Sequence, residues 1–404
     1  MSGKGVSQRE LLAIDGGVPV RAAMLPYGHQ WITDEDVAAV VEALTSDWLT
    51  TGPKVAQFEE AFARRVGARE AVAVCNGTAA LHAAMYAAGV GPGDEVIVPA
   101  MTFAASANAA VFLGATPVFV DVQPDTLLID PVAAERAFSP RTKAMLAVDY
   151  AGHPCDYDAL HSIVDRHGAP LIADACHAVG GTYKGIPVGT LAAMNCFSFH
   201  PVKHVTTGEG GVVTTDDSAA ASRMRAFRNH GITSDHRQRE ACGSWFYEMV
   251  DLGYNYRLTD LQCALGLSQL RRLPEWLARR RQIAARYDGA FTQLPGIRPL
   301  AVRDGVAHAY HLYVVQLDLA QLSVSRAQVF SALRAEGIGV NVHYIPVHLH
   351  PFYRTRFGTG PGLCPVAEAA YERILSLPIF PRMTDRDAND VVSALTKVLG
   401  AYAR

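Results

Sequence analysis

Between residues 68 and 215, short apolar runs alternate with longer stretches whose apolar positions are spaced for a helix. "AVAVC" (71–75) passes through "NGT" into the helix-like "AALHAAMYAAG". "DEVIVPA" reads as a strand, "TFAASANAAVFLGA" as a helix, "TPVFVDV" as a strand and "DPVAAERAF" as a helix. The rhythm continues through "KAMLAVDYAG", "DYDALHSIVDRHG" and "PLIADACHAVG". Strands that are apolar throughout, separated by helices of this length, are the pattern of a parallel sheet covered on both faces. A large, mostly parallel, doubly wound α/β domain is therefore expected, with ligands bound beyond the carboxyl ends of its strands.

Upstream, "TDEDVAAVVEALTSDWL" has helical spacing, with Thr33 at the N-cap and Asp36 at the third helical position, as in a capping box. Beyond residue 217 the texture changes. A polar, irregular stretch (230–245) precedes "RLTDLQCALGLSQLRRLPEWLARRRQIAARYDGAF", which reads as a helix interrupted near Pro274. From about residue 295, "HAYHLYVVQL" and "GVNVHYIPV" alternate like strands and "SRAQVFSALRAEG" reads as a helix, the makeup of a smaller α+β domain. The expected division is an arm over residues 1–32, a large α/β domain over 33–270 and a small C-terminal domain over 271–404.

Composition narrows the function classes. Half of the 404 residues are hydrophobic, 19% are charged and the formal net charge is −3, so neither disorder nor an electrostatic footprint for nucleic acid is indicated. A small-molecule partner is expected. The start, "MSGKGVSQRELLAIDGG", carries charge and glycine where a signal peptide has an apolar core, and no 18-residue apolar run occurs, so a soluble cytoplasmic protein with no membrane partner is expected. Seven cysteines lie scattered without a C-x-x-C pair, which argues against a zinc ribbon or a disulfide framework and for packing thiols.

Only six lysines are present, and Lys203 alone follows an apolar strand-like run, "MNCFSFH", and leads into a loop of small residues. A buried lysine gives up its proton more readily, and a neutral amine attacks carbonyls. The plainer reading is an ion pair with Glu209. "LIADACHAVG" ends a strand at Asp174, which either caps a turn or holds a ring nitrogen protonated. A lysine Schiff base opposite an aspartate is what pyridoxal phosphate requires. "AVAVCNGTAALHAAM" adds a strand, turn and helix N-terminus suited to a phosphate, with Gly77 letting the backbone approach and Thr78 offering its hydroxyl. Ser198 is a second phosphate donor by position, and Phe103 either stacks on the ring or packs in the core. His200 and His204 flank the lysine at a metal-ligand spacing, but Pro201 intervenes, and no acidic residue falls within "NVHYIPVHLHPFY"; no metal is expected.

Together, "GTAALHAA", "PAMTFAASANA", "IADACHAVG", "FSFHPVKHVTTGEGG", "RNHG" and "DLGYNYRLTDLQCALGLSQL" resemble the DegT/StrS family of sugar aminotransferases, in order, from about residue 20 to 395. The resemblance implies fold type I, the aspartate-aminotransferase-like fold, and pyridoxal 5'-phosphate. It implies Lys203 as the Schiff-base and proton-shuttling residue, Asp174 as the partner of the pyridine nitrogen, and His177 at the ring or its 3-hydroxyl. It implies Gly77, Thr78 and Ser198 at the phosphate and Phe103 on the ring face. Asn255 of "GYNYR" is implied to reach the neighbouring subunit's phosphate, making each site of a homodimer composite. Some relatives carry histidine in place of the lysine and are sugar dehydratases; here the lysine is kept.

The wording of "FHPVKHVTTGEGG", "NYRLTDLQCALGLSQL" and "VHYIPVHLHPFYR" is most similar to the branch that aminates C4 of UDP-4-keto-6-deoxy-N-acetylhexosamines, as in pseudaminic acid biosynthesis, with L-glutamate as the donor by family analogy. Arg228, His308, His311, Tyr344 and His348 are then candidates for the sugar-nucleotide pocket, against ordinary packing or surface roles. The alternatives are a dehydratase, an aminotransferase for another keto sugar or an aminocyclitol, and a regulatory relative. The last usually carries a basic DNA-binding segment, which is not visible here.

Overall fold

The computed structural model describes residues 11–234 and 236–404. Residues 1–10, part of the expected arm and the site of Lys4, lie outside the described residues. A seven-stranded sheet forms the centre of the chain. Its strands are β1 (Glu70–Val74), β2 (Glu95–Pro99), β3 (Thr116–Val120), β4 (Thr142–Val148), β5 (Leu171–Asp174), β6 (Met194–Ser198) and β7 (Gly211–Thr215). Their spatial order is β1-β7-β6-β5-β4-β2-β3. β3, β2, β4, β5 and β6 pair in parallel, while β7 runs antiparallel to both β6 and β1. The apolar runs became strands because both faces of this sheet are covered, and β2, β5 and β7 are buried at every position.

The helix Asp34–Leu44 starts with the expected capping box: the Thr33 amide donates to Asp36 Oδ2 at 2.9 Å. Asp36 is fully buried and also accepts from Gln269 Nε2 at 2.6 Å, so one carboxylate serves the cap and ties two helices together. The helix Asp260–Phe291 departs from expectation: it is continuous through Pro274 and crosses residue 270. A proline inside a helix costs about 3 kcal/mol. Leu270, Leu273, Trp276 and Leu277, buried on both sides of it, offset that cost at roughly 1.5–3 kcal/mol for each large apolar side chain. The first half of this helix packs into the large core; Ile283, Ala284, Tyr287 and Phe291 enter a second core.

That second core surrounds a three-stranded antiparallel sheet of Ile297–Pro299, Tyr313–Leu317 and Ile374–Leu377, with helices Arg326–Ala335 and Asp385–Tyr402 against it. The arm joins it through Leu12 and Leu25. The amides of Ala13 and Val20 donate to the buried Glu336 carboxylate at 2.8 and 3.0 Å. Lys397, on the second of these helices, buries its ammonium against Glu336 at 2.9 Å. "GVNVHYIPV" is not a strand: residues 339–346 make one isolated bridge, at Asn341, and Val347 opens a short 3-10 helix. There Asn341 bonds its own chain through the Val342 amide, and both line a cavity rather than a sheet.

Candidate active site

The carboxyl ends of β1, β2, β5 and β6 open into one cavity of about 610 Å³, within the usual size range of small-molecule sites. Lys203 lies in the excursion 199–210 between the antiparallel strands β6 and β7. This excursion is pinned at its base, where Phe199 packs edge-on against Phe58 and Phe62 with ring centroids 5.4 Å away in each case. The Phe199 amide donates to Gly210 O at 2.8 Å, and on the far side of the lysine His204 Nε2 lies 2.8 Å from Ala309 O. The loop is therefore anchored on both sides of the amine.

Among the described residues Lys203 has no ion-pair partner, so the alternative pairing with Glu209 is not formed. Glu209 shares the cavity lining. Burial pushes the Lys203 ammonium pKa down, opposed by the nearby Cys176 and Asp174. An amine that is easier to deprotonate and unpaired is ready for a carbonyl.

Asp174 closes β5 with its carboxylate almost wholly out of solvent. Ser106 donates to Asp174 Oδ2 at 2.6 Å, and Thr102 Oγ1 lies 2.7 Å from Ser106 Oγ, making a buried chain of hydroxyls behind the carboxylate. The Cys176 amide donates to Oδ1 at 3.3 Å. Sequence reading missed Ser106 and Thr102; their only signal was the position of "TFAAS" after β2.

One corner of the cavity is built by the turn from β1 into the helix Gly77–Ala87. Asn76, also missed, caps this helix by accepting from the Ala79 amide at 2.8 Å. Among the described residues the amides of Gly77 and Thr78 find no acceptor, leaving two donors at a helix N-terminus. Gly77 is needed for space: a Cβ there would lie 2.8 Å from the Ser198 Cβ. Thr78 and Ser198 complete this corner, while Phe103 stands exposed at the rim.

His177 and His311 both line the cavity, their rings tilted by 35° with centroids 4.3 Å apart. Burial drives both imidazole pKa values far below 6.5, with the Lys203 charge pushing the same way. Tyr344 reaches His177 Nε2 at 3.1 Å. Tyr27 from the arm, His200, Asn341 and His343 also face the cavity without having been singled out for it.

Three sugar-pocket candidates lie outside the cavity within one chain. Arg228 is bonded to Glu59 and to Ala73 O at 2.6 Å, in a separate cleft of about 360 Å³. His348 is fully buried against Glu368 at 2.9 Å, and His308 accepts from the Tyr310 amide at 2.8 Å while its ring stacks on that tyrosine. Charge pairing and packing have used these three elsewhere. Asn255 is exposed, bridged to Asn229, and also outside its own chain's cavity. No group of three acidic, histidine or cysteine side chains is gathered for a metal among the described residues, and the seven cysteines are free thiols. Among those residues no helix is long and apolar enough to cross a membrane.

The arrangement fits pyridoxal phosphate: unpaired amides for a phosphate, a carboxylate for the ring nitrogen and an unpaired amine for the aldehyde. The profile of the DegT/DnrJ/EryC1/StrS aminotransferase family matches residues 30–396. The chain is 45% identical over 384 residues to the spore coat polysaccharide biosynthesis protein SpsC of Bacillus subtilis, covering 95% of this chain and 99% of that one. The sugar aminotransferase Spr1654 of Streptococcus pneumoniae, solved in PMP and PLP forms, is 35% identical in the former, with TM-score 0.88 over 93% of this chain and 99% of that one. Helicobacter pylori PseC, an aminotransferase involved in pseudaminic acid biosynthesis, is 31% identical with TM-score 0.87 over 94% of this chain and 100% of that one. The chain belongs to the DegT/DnrJ/EryC1/StrS aminotransferase family, has fold type I and uses pyridoxal phosphate.

Proposed function

We propose that this transaminase moves an amino group from L-glutamate to C4 of a nucleotide-linked 4-keto-6-deoxy sugar of the UDP-N-acetylhexosamine type. The observation that carries the reading is the unpaired Lys203 amine sharing one cavity with Asp174 and the open amides of Gly77 and Thr78. The substrate class is supported by the sequence motifs and by similarity to PseC. When bound, the cofactor supplies an electron sink that stabilises negative charge on the carbon bearing the nitrogen. Gly77, Thr78 and Ser198 would hold its phosphate, Phe103 would pack against its ring and Asp174 would keep a proton on its nitrogen. Lys203 Nζ takes the proton from the donor's α-carbon and returns one during the transfer, a task suited to an amine whose basicity burial has lowered.

Two chains complete each site in this reading, Asn255 of one reaching the phosphate of the other. Trp245, Met249, Val250 and Leu252, each more than 60% exposed, give that stretch an apolar surface suited to a second copy. The test is to treat the yellow protein with glutamate until its visible absorbance shifts, then offer keto sugars on UDP, GDP and dTDP. Reversal by the UDP-linked N-acetyl sugar, with an amino sugar as product, is expected. Reversal only by another sugar, or a deoxygenated product, would overturn the assignment.

A further inference from the structure

The side chain opposite His177 has a role that the sugar-pocket assignment of Tyr344 does not describe. His177 Nε2 lies 3.1 Å from the Tyr344 hydroxyl, while His177 Nδ1 is buried without a hydrogen-bond partner. The groups that face this imidazole are Lys203, His204, His311 and His343. None is a carboxylate, so nothing there stabilises an imidazolium, and the ring carries one proton.

Two arrangements of that proton are possible. With it on Nδ1, a buried N–H has no acceptor, and the tyrosine spends its own proton on Nε2. With it on Nε2, the imidazole donates to the phenol oxygen, the buried Nδ1 is a bare lone pair, and the phenol proton is free to turn into the cavity. Orphaned buried N–H groups are the rarer defect in proteins, and the second arrangement leaves every donor with somewhere to go. Tyr344 lines the cavity, its ring 5.8 Å from that of Phe103, so its hydroxyl sits among the groups assigned to the cofactor.

We propose that His177 is held as the Nε2–H tautomer and thereby turns Tyr344 into a hydrogen-bond donor to a negatively charged or polarised oxygen in the cavity. Two oxygens have that chemistry: the phenolic oxygen of pyridoxal phosphate and an oxygen of the keto sugar. In this role Tyr344 does not contact the nucleotide; it is positioned by His177 and donates its proton to the oxygen at the reacting centre. The inference rests on the cofactor's placement above, but not on which sugar is used.

The test is Tyr344→Phe, which removes one oxygen and preserves the ring's packing. The visible absorbance of the Lys203-bound cofactor is titrated against pH without substrate. If the acceptor is the cofactor's phenolic oxygen, the variant loses a donor that favours the deprotonated form, and the midpoint rises by about one pH unit or more. If the acceptor is the sugar, the titration matches the parent, and the half-reaction with keto sugar slows by at least about tenfold while that with glutamate does not. Parental behaviour in both experiments would overturn the proposal. His177→Phe, which removes the positioning ring, is expected to reproduce the affected readout; if it leaves that readout at the parental value, His177 does not set the tyrosine's proton and the proposal fails. Failure of every keto sugar with the parent would instead contradict the proposed substrate and leave the spectral titration readable.

Discussion

Substituting Gly77 sets two effects of known size against each other. Gly77 is the first residue of the helix Gly77–Ala87, and Gly→Ala inside a helix ordinarily stabilises by roughly 0.5–1 kcal/mol. At this position the new methyl would stand 2.8 Å from Ser198 Cβ, 3.2 Å from Ser198 Oγ and 3.4 Å from Cys176 Sγ. Carbon atoms settle at about 3.5–4.0 Å, so the turn and β6 must separate by roughly 0.7 Å. Overpacking of this kind costs about 1–3 kcal/mol, which exceeds the helical gain. The same displacement pulls the Gly77 and Thr78 amides away from Ser198, so cofactor affinity should fall by about tenfold or more, equivalent to about 1.4 kcal/mol. The assays are urea unfolding of the cofactor-free protein and absorbance titration with pyridoxal phosphate. Ser198→Gly removes the obstructing atoms, so in that background Gly77→Ala should turn from destabilising to stabilising. A Gly77→Ala protein at least as stable as its parent, with unchanged cofactor affinity, would refute the steric reasoning.

Lys203→Ala should still bind the cofactor, without the covalent link, and lose at least about 10³-fold in transamination; retained turnover in a steady-state assay would contradict its role. Ser106→Ala deletes the 2.6 Å donor to Asp174 and should weaken a charge-assisted bond by roughly 1.5–3 kcal/mol, read as slower turnover and faster cofactor loss, with Ser106→Thr restoring part of both. Equal turnover and retention in the alanine variant would remove Ser106 from the site. Asn255→Ala should leave a dimer in sedimentation but lower cofactor affinity, and an unchanged affinity would disprove the composite phosphate site. Asp149 is fully buried and its carboxyl is pushed up to about 7, mainly by burial, from an ordinary 3.8. The stability of its protonated form is complete below about pH 4 and is lost as pH rises to about 7, at most roughly 4 kcal/mol. Asp149→Asn, which keeps an oxygen for the Cys155 amide and Tyr157 hydroxyl, should flatten unfolding free energy over that range; an unaltered slope would show that another group titrates there.

The features legible in sequence were those written locally. A parallel strand buried on both faces must be an apolar run, and its carboxyl end must be where the run stops, so β1, β5 and β6 delivered Gly77, Asp174 and Ser198 to one edge before any contact was known. The Thr33–Asp36 cap was legible because both members lie within one turn. What stayed hidden depended on partners distant in the chain. His348 and His311 are both buried histidines near the C-terminal strands, yet one meets Glu368 twenty residues away and the other meets His177 across the cavity. Arg228 was drawn from the cavity by Glu59, 169 residues earlier. "GVNVHYIPV" alternates like a strand, but the consecutive residues Asn341, Val342, His343 and Tyr344 all line the cavity and the backbone makes one isolated bridge, so the alternation did not record a ladder. A polar side chain near a binding edge is therefore free for chemistry only if no opposite charge reaches it first. Lys203 meets that condition among the described residues, its amine unpaired in the cavity that Asp174 also lines.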